Sequence, residues 1–74
     1  MQHCYVLTCH EHEDGLNILG VFASYPTRDV LFDKLSKILK NHAVYVDEVV
    51  SDVVSDGLSY AGIYEIMLVK KVLE

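Results

Sequence analysis

The first third of the chain carries two apolar segments separated by a polar turn. Residues 3–10 are rich in Tyr, Val, Leu and Thr, which suit the pleated surface of a strand. Residues 11–15 are strongly charged and end in Asp-Gly, a common hairpin signal. Residues 16–24 then predict the returning strand, and because nearly every position is apolar we expect both of its faces to be covered. Gly20 in the middle of this strand predicts a bulge or a close backbone approach.

The next segment has the spacing of an amphipathic helix. Residues 24–27 contain the only proline and interrupt the strand, and either Ser24 or Thr27 can cap a helix that begins there. The apolar positions that follow recur at helical spacing: Val30, Leu31, Leu35, Ile38 and Leu39. The pattern predicts a helix over residues 27–41.

Residues 44–57 are compatible with two structures. As a helix, the segment places its valines on one stripe and its acids and serines on the other side, and Gly57 is a natural residue to end it. As a strand, it has the β-branched residues that strands prefer, and Asp56-Gly57 would turn a hairpin. Two pairs of adjacent valines break strict strand alternation. The pattern therefore favours the helix, although tertiary contacts can override either preference.

Residues 60–72 predict the last strand, and their apolar side chains on both faces are typical of a central strand. The sequence has no internal repeat, low-complexity tract or linker, so residues 1–74 predict a single domain. The predicted fold class is α+β, a small antiparallel three-stranded sheet with one or two helices packed on one face, in the order β-β-α-(α)-β.

Composition adds a surplus of apolar residues to this picture. A domain of this size buries only about 60% of the surface that its unfolded chain exposes. Its hydrophobic share is nevertheless 51%. The surplus indicates a partner, either another macromolecule or a second copy in a homodimer formed through the last strand or the valine stripe.

The sequence predicts a cytoplasmic protein with no membrane association. No apolar run reaches the ~20 residues that span a membrane, and no secretory signal is visible. Cys4 and Cys9 fall on opposite faces of the first predicted strand, about 16 Å apart along it, which forbids a bridge between them. We therefore expect reduced thiols, as in the cytosol.

The charge is negative overall and unevenly distributed. The net charge is −5 with only six Lys and Arg, which argues against direct binding of nucleic acid. Two acidic blocks flank the locally basic helix: Glu11, Glu13 and Asp14 in the turn, and Asp47, Glu48, Asp52 and Asp56 in the valine-rich segment. On a helix, acids at i, i+4 and i+8 repel one another slightly, and a basic partner would relieve that repulsion. We predict that these acids bind a protein or protein–RNA complex with a basic surface, the alternative being an ordinary solvated helix face.

Candidate metal ligands are concentrated near the start of the chain. His10 and His12 share one face of a strand and Cys4 lies further along the same side, so a zinc site is geometrically possible. The spacing matches no established zinc motif, and the alternative is a polar hairpin tip whose histidines face water. Cys9 and His10 point to opposite faces and cannot form a nucleophile–base pair. Because no phosphate loop or hydrolase motif is present, we predict a protein that is not an enzyme and takes no cofactor.

Two segments resemble a small group of uncharacterised phage and bacterial proteins. They are residues 5–15, a Tyr-Val-Leu strand with a His/Glu/Asp-rich turn, and residues 18–24, Ile-Leu-Gly-Val-Phe-Ala-Ser, followed by a helix. Residues 62–69 are also similar, whereas the valine-rich segment departs from the pattern. The group has no established activity. The resemblance implies a phage-encoded protein of the host cytoplasm. Short genes of mobile elements often encode acidic proteins that inhibit host complexes, anti-CRISPR proteins among them. It predicts an inhibitor that occludes a basic or nucleic-acid-binding surface of a host defence complex.

Overall fold

The described parts of the chain form one sheet with two helices. The computed structural model describes residues 2–11, 15–39 and 46–73. Within them the elements follow in the order β1 (Gln2–Glu11), β2 (Gly15–Phe22), α1 (Arg28–Leu39), α2 (Val46–Asp56), β3 (Leu58–Ala61) and β4 (Tyr64–Leu73). The predicted α+β class is confirmed.

The sheet is antiparallel and has the strand order β2-β1-β4-β3. The last strand, β4, lies inside the sheet beside β1, so its predicted central position is confirmed. The prediction of three strands was wrong, because residues 58–61 form a short strand of their own that pairs with β4. Gly62 and Ile63 make the turn between them, and Gly62 has a φ of +62°, a left-handed conformation that glycine adopts at little cost. A single strand over residues 60–72 is therefore excluded by the turn at Gly62.

The second strand is an edge strand that contains a bulge. The register between β1 and β2 shifts between Leu7 and Thr8, whose partners are Gly20 and Ile18, so Leu19 is the extra residue. This register shift confirms the predicted bulge, and a Cβ on Gly20 would lie 2.7 Å from the side-chain ring of Phe22. The expectation that both faces of β2 are covered was wrong, because the helices cover only one side of the sheet.

The two helices have sequence signals that explain their ends. The backbone N–H of Val30 donates to Oγ1 of Thr27 at 3.2 Å, so Thr27 caps α1, while residues 40–41 of the predicted helix lie outside the described residues. The helical interpretation of the valine-rich segment is confirmed as α2. This helix ends at Gly57, which has a φ of +74° and donates its N–H to the carbonyl of Val53 at 2.9 Å.

Both helices and one face of the sheet share a single core. Its buried members are Leu7, Cys9, Leu31, Leu35, Leu39, Val49, Val50, Val53, Ala61 and Ile66. Because Leu7, Cys9 and Ile66 share one face by strand alternation, the helices that supply the remaining leucines and valines lie on that face. Neither α1 nor α2 is long and apolar enough to cross a membrane.

Candidate interaction surfaces

The predicted acidic residues of α2 lie along one side of the helix. With about 3.6 residues per turn, the segment separates an acidic arc from a valine arc. The valine arc is buried in the core through Val49, Val50 and Val53. The acidic arc is exposed and holds Asp47, Glu48, Asp52 and Asp56, which we call the acidic face. The valine stripe is therefore part of the fold's interior, and it is not available to a second copy as the sequence suggested.

Two hydrogen bonds tie the acidic face to the rest of the domain. The hydroxyl of Ser59 in β3 donates to Oδ2 of Asp52 at 3.1 Å. Because Ser59 is only 3% exposed, this bond gives its buried hydroxyl an acceptor. The guanidinium of Arg28, at the start of α1, donates to Oγ of Ser51 at 2.9 Å. Asp52 thus has a structural role, and Arg28 places one positive charge beside the acidic row.

The acidic face has little compensation from nearby cations. Within residues 2–11, 15–39 and 46–73, no Lys, Arg or His side chain forms an ion pair with an α2 carboxylate. The salt bridge in this part of the chain joins Lys37 to Asp33 on α1 at 3.6 Å, and both side chains are largely exposed. A shallow groove of about 290 Å³ runs along the face and is lined by Asp47, Glu48, Ser51 and Asp52. The face can therefore accept several donors from a cationic segment.

The acidic turn contributes less to the described surface. Glu11 is half-buried at the end of β1, where it is paired in register with Tyr64 and is already engaged in an interaction. Glu13 and Asp14, the other predicted partner-binding residues of the turn, lie outside the described residues.

The side of the sheet away from the helices is apolar, and we call it the open face. Strand register assigns to it Gln2, Cys4, Val6, Thr8 and His10 of β1, Leu16, Ile18 and Val21 of β2, Leu58 and Tyr60 of β3, and Glu65, Met67, Val69 and Lys71 of β4. Leu16 and Ile18 are each 64% exposed, Val21 is 63% exposed and Tyr60 is 70% exposed. Monomeric proteins rarely expose so many neighbouring apolar side chains without a binding role.

The sequence reasoning missed the open face, although a signal for it was present. Leu16 and Ile18 alternate along β2, and Val21 returns to the same side after the bulge at Leu19. A run that is apolar at nearly every position was interpreted as a strand covered on both sides. With the bulge, Leu19 and Phe22 pack against the core, whereas Leu16, Ile18 and Val21 are exposed on the other side of the strand.

A shallow hollow of about 350 Å³ lies at one end of the open face. It is lined by His10, Tyr60, Gly62, Ile63, Tyr64 and Glu65. His10 and Glu65 are cross-strand partners, and Glu65 is also the partner of Tyr60. An imidazole, a carboxylate and a phenol therefore meet at this end, which makes it the polar rim of an otherwise apolar surface.

Cys4 and Cys9 are not joined in a disulfide and have different surroundings. Cys9 is buried in the core and Cys4 is half-buried on the open face, so they occupy opposite faces of β1 as predicted. Burial, reinforced by the negative charge of Glu11, raises the pKa of the Cys9 thiol above its ordinary value. His10 is exposed on the other face of the strand, so it is not placed to activate Cys9.

The candidate zinc ligands are not assembled in the described structure. Cys4 and His10 share a face but are six residues apart along β1, about 20 Å, which is too far for one ion. His12, the third candidate, lies outside the described residues. Within residues 2–11, 15–39 and 46–73, no group of three His, Cys, Asp or Glu side chains is placed to hold a metal ion.

Comparisons of the chain with protein-family models, curated proteins and solved structures found no match. The resemblance to small phage and bacterial proteins therefore stays a prediction.

Proposed function

We propose that this protein is a non-catalytic interaction protein that binds a basic surface of another protein or protein–RNA complex through the acidic face of α2. The observation that carries the proposal is that all four α2 carboxylates are exposed on one side of the helix and that none is in an ion pair with a described cation. Complementary charge of this kind steers a partner and selects against acidic competitors.

The repulsion within the acidic face favours a cationic partner. Glu48, Asp52 and Asp56 are spaced four residues apart, and each like-charged pair at this spacing costs about 0.2–0.5 kcal/mol. A lysine- or arginine-rich segment lying along α2 would remove this cost and add its own attraction. Because the carboxylates are exposed, the attraction falls as salt shortens the Debye length to about 8 Å at physiological ionic strength.

The groove along α2 supplies a place for such a segment. Three of its four lining residues are the carboxylates Asp47, Glu48 and Asp52, so guanidinium or ammonium groups of a bound segment can each reach a carboxylate. The resemblance described above adds a context in which the partner is a host defence complex and binding occludes its basic or nucleic-acid-binding surface. In that context the protein would act as an inhibitor in the host cytoplasm.

The proposal is tested with a fluorescein-labelled peptide rich in lysine and arginine, whose binding is followed by fluorescence anisotropy. The double variant Glu48→Gln/Asp56→Asn removes two charges without touching Asp52, whose hydrogen bond to Ser59 has to be kept. We expect this variant to bind the peptide roughly tenfold more weakly, since each exposed charge contributes about 0.2–1 kcal/mol. The difference should shrink as salt is raised.

The matched control is Asp29→Asn/Asp33→Asn, which removes two carboxylates from α1 and changes the net charge by the same amount. If the control weakens peptide binding as much as the α2 variant, the peptide responds to net charge alone and the acidic face is not the binding surface. Equal binding by the α2 variant and the unmodified protein would likewise contradict the proposal.

A further inference from the structure

We infer that the open face is the interface of a homodimer in which two sheets stack face to face with their strands antiparallel. The occupant of this face is thus a second copy of the chain. The inference does not rest on the proposed function, because the acidic face lies on the opposite side of the domain.

The single chain leaves more surface exposed than a compact monomer of its size. The solvent-accessible surface is 5026 Å². A compact monomer of this mass is expected to expose only about 4600 Å². The most exposed large apolar side chains are on the open face, where Leu16, Ile18 and Val21 on β2 and Tyr60 on β3 are each more than 60% exposed.

The area of the open face suits a dimer of this size. Strands spaced about 4.8 Å apart with a rise of about 3.4 Å per residue give the sheet a projected area of roughly 500 Å². Protruding side chains make the accessible area larger than this projection. Each partner therefore offers an area in the lower part of the range for specific interfaces, about 600–1000 Å² per partner. Two sheets that pack through apolar inner faces form the ordinary core of a β-sandwich.

The open face carries its acidic and basic side chains at opposite ends of one strand. Among the described residues of this face, Glu65 and Lys71 are the acidic and basic side chains, and both are on β4. They are six residues apart, about 20 Å, so they cannot pair within one chain. A two-fold axis that crosses the strands in the plane between the two sheets places Glu65 of one copy over Lys71 of the other, and the same contact recurs symmetrically. A two-fold axis running along β4 would instead place like charges over each other.

The register of the central strands locates this axis. Leu7 and Leu68 are cross-strand partners, and this pair lies midway between Glu65 and Lys71 on β4 and midway between Cys4 and His10 on β1. An axis through this point therefore exchanges the two ends of both central strands at once. The rotation of about 30° between stacked sheets shifts the ends by only a few ångströms, within the reach of a lysine side chain.

The arrangement leaves both helical layers on the outside of the dimer. Since α1 and α2 cover the other face of each sheet, the acidic faces would point away from the interface on opposite sides. The dimer would then present two acidic faces to a partner. Substitutions in the acidic face that weaken peptide binding would leave the monomer–dimer equilibrium unchanged.

The first test is sedimentation equilibrium of the full chain from low micromolar concentration to about 100 μM. We expect a reversible monomer–dimer equilibrium. Ile18→Lys places a charge in the centre of the exposed β2 patch and should abolish the dimer at these concentrations. Phe32→Lys is the matched control, since Phe32 is an exposed aromatic residue on α1, away from the open face, and its variant should dimerise normally. Circular dichroism establishes that each variant is folded.

The second test addresses the antiparallel arrangement and does not depend on the fold tolerating Ile18→Lys. Glu65→Lys and Lys71→Glu each bring like charges together at both symmetric contacts, so each single variant should dimerise roughly tenfold more weakly. The double variant Glu65→Lys/Lys71→Glu restores opposite charges across the axis and should recover the original affinity.

Several results would overturn the inference. They are a monomer at all concentrations, a dimer that survives Ile18→Lys in a folded variant, and charge variants that show no loss or no recovery. A dimer made by pairing the β2 edges would give the last of these patterns, because edge pairing does not bring Glu65 close to Lys71.

Discussion

The hydrogen bond between Ser59 and Asp52 predicts that Asp52→Ala lowers the free energy of unfolding when Ser59 is present and raises it when Ser59 is replaced by alanine. The Ser59 hydroxyl is buried between α2 and the sheet and donates to the Asp52 carboxylate at 3.1 Å. Removing the carboxylate by Asp52→Ala leaves this buried hydroxyl without its partner, which costs about 1–3 kcal/mol.

The same substitution also has favourable consequences. Alanine is the better helix former by about 0.5 kcal/mol. Loss of the Asp52 charge also relieves two like-charged pairs, with Glu48 and Asp56, by about 0.2–0.5 kcal/mol each. These gains sum to roughly 1.2 kcal/mol, so we expect Asp52→Ala to lower the free energy of unfolding by only about 1 kcal/mol in the unmodified protein.

In a Ser59→Ala background no buried hydroxyl loses its partner, so only the better helix propensity and the relief of charge repulsion remain. Asp52→Ala should then raise the free energy of unfolding by about 1 kcal/mol, and the double-mutant cycle should give a coupling of about 2 kcal/mol. Urea unfolding followed by circular dichroism measures all four proteins, at one protein concentration because dimerisation would add to apparent stability.

Glu48→Ala is the control for this cycle, since Glu48 is on the same helix face but has no bond to Ser59. Its effect should be the same with and without Ser59. A coupling between Asp52 and Ser59 that is no larger than the coupling between Glu48 and Ser59 would refute the reasoning.

Three further predictions concern the helix end, the thiols and the acidic face. Gly57→Ala should destabilise the fold by about 1–2 kcal/mol, measured by urea unfolding, because alanine disfavours the φ of +74° at this position. In the native protein a thiol reagent should modify Cys4 first and Cys9 only on unfolding. Burial and then Glu11 raise the pKa of Cys9 in the folded state, so its contribution to stability is intact below about pH 8.5 and is lost as pH rises through the folded pKa. A change in the free energy of unfolding between pH 7 and pH 10 that is the same in the unmodified protein and in a Cys9→Ala variant would contradict this. Arg28→Gln should strengthen binding of the basic peptide severalfold, because it removes the cation that now lies beside Ser51, and unchanged or weaker anisotropy binding would show that Arg28 does not oppose the peptide.

The acidic and apolar surfaces differ in how far sequence reasoning could reach them. The acidic face followed from helical spacing, because once residues 46–56 form a helix the positions of its carboxylates are determined by the pitch. The open face could not be obtained in this way. Its members come from four strands, and which of them are neighbours depends on the strand order and on the bulge at Leu19.

Local patterns in the sequence determined α1, the first two strands and the end of α2, and they favoured a helix over a strand for residues 44–57. Helical spacing, the cap at Thr27 and the glycine at residue 57 act within a few residues, so they do not depend on the rest of the fold. The tertiary structure decided which faces are covered. Two short helices can shield only one side of a four-stranded sheet, so the valines of α2 became core while Leu16, Ile18 and Val21 became surface.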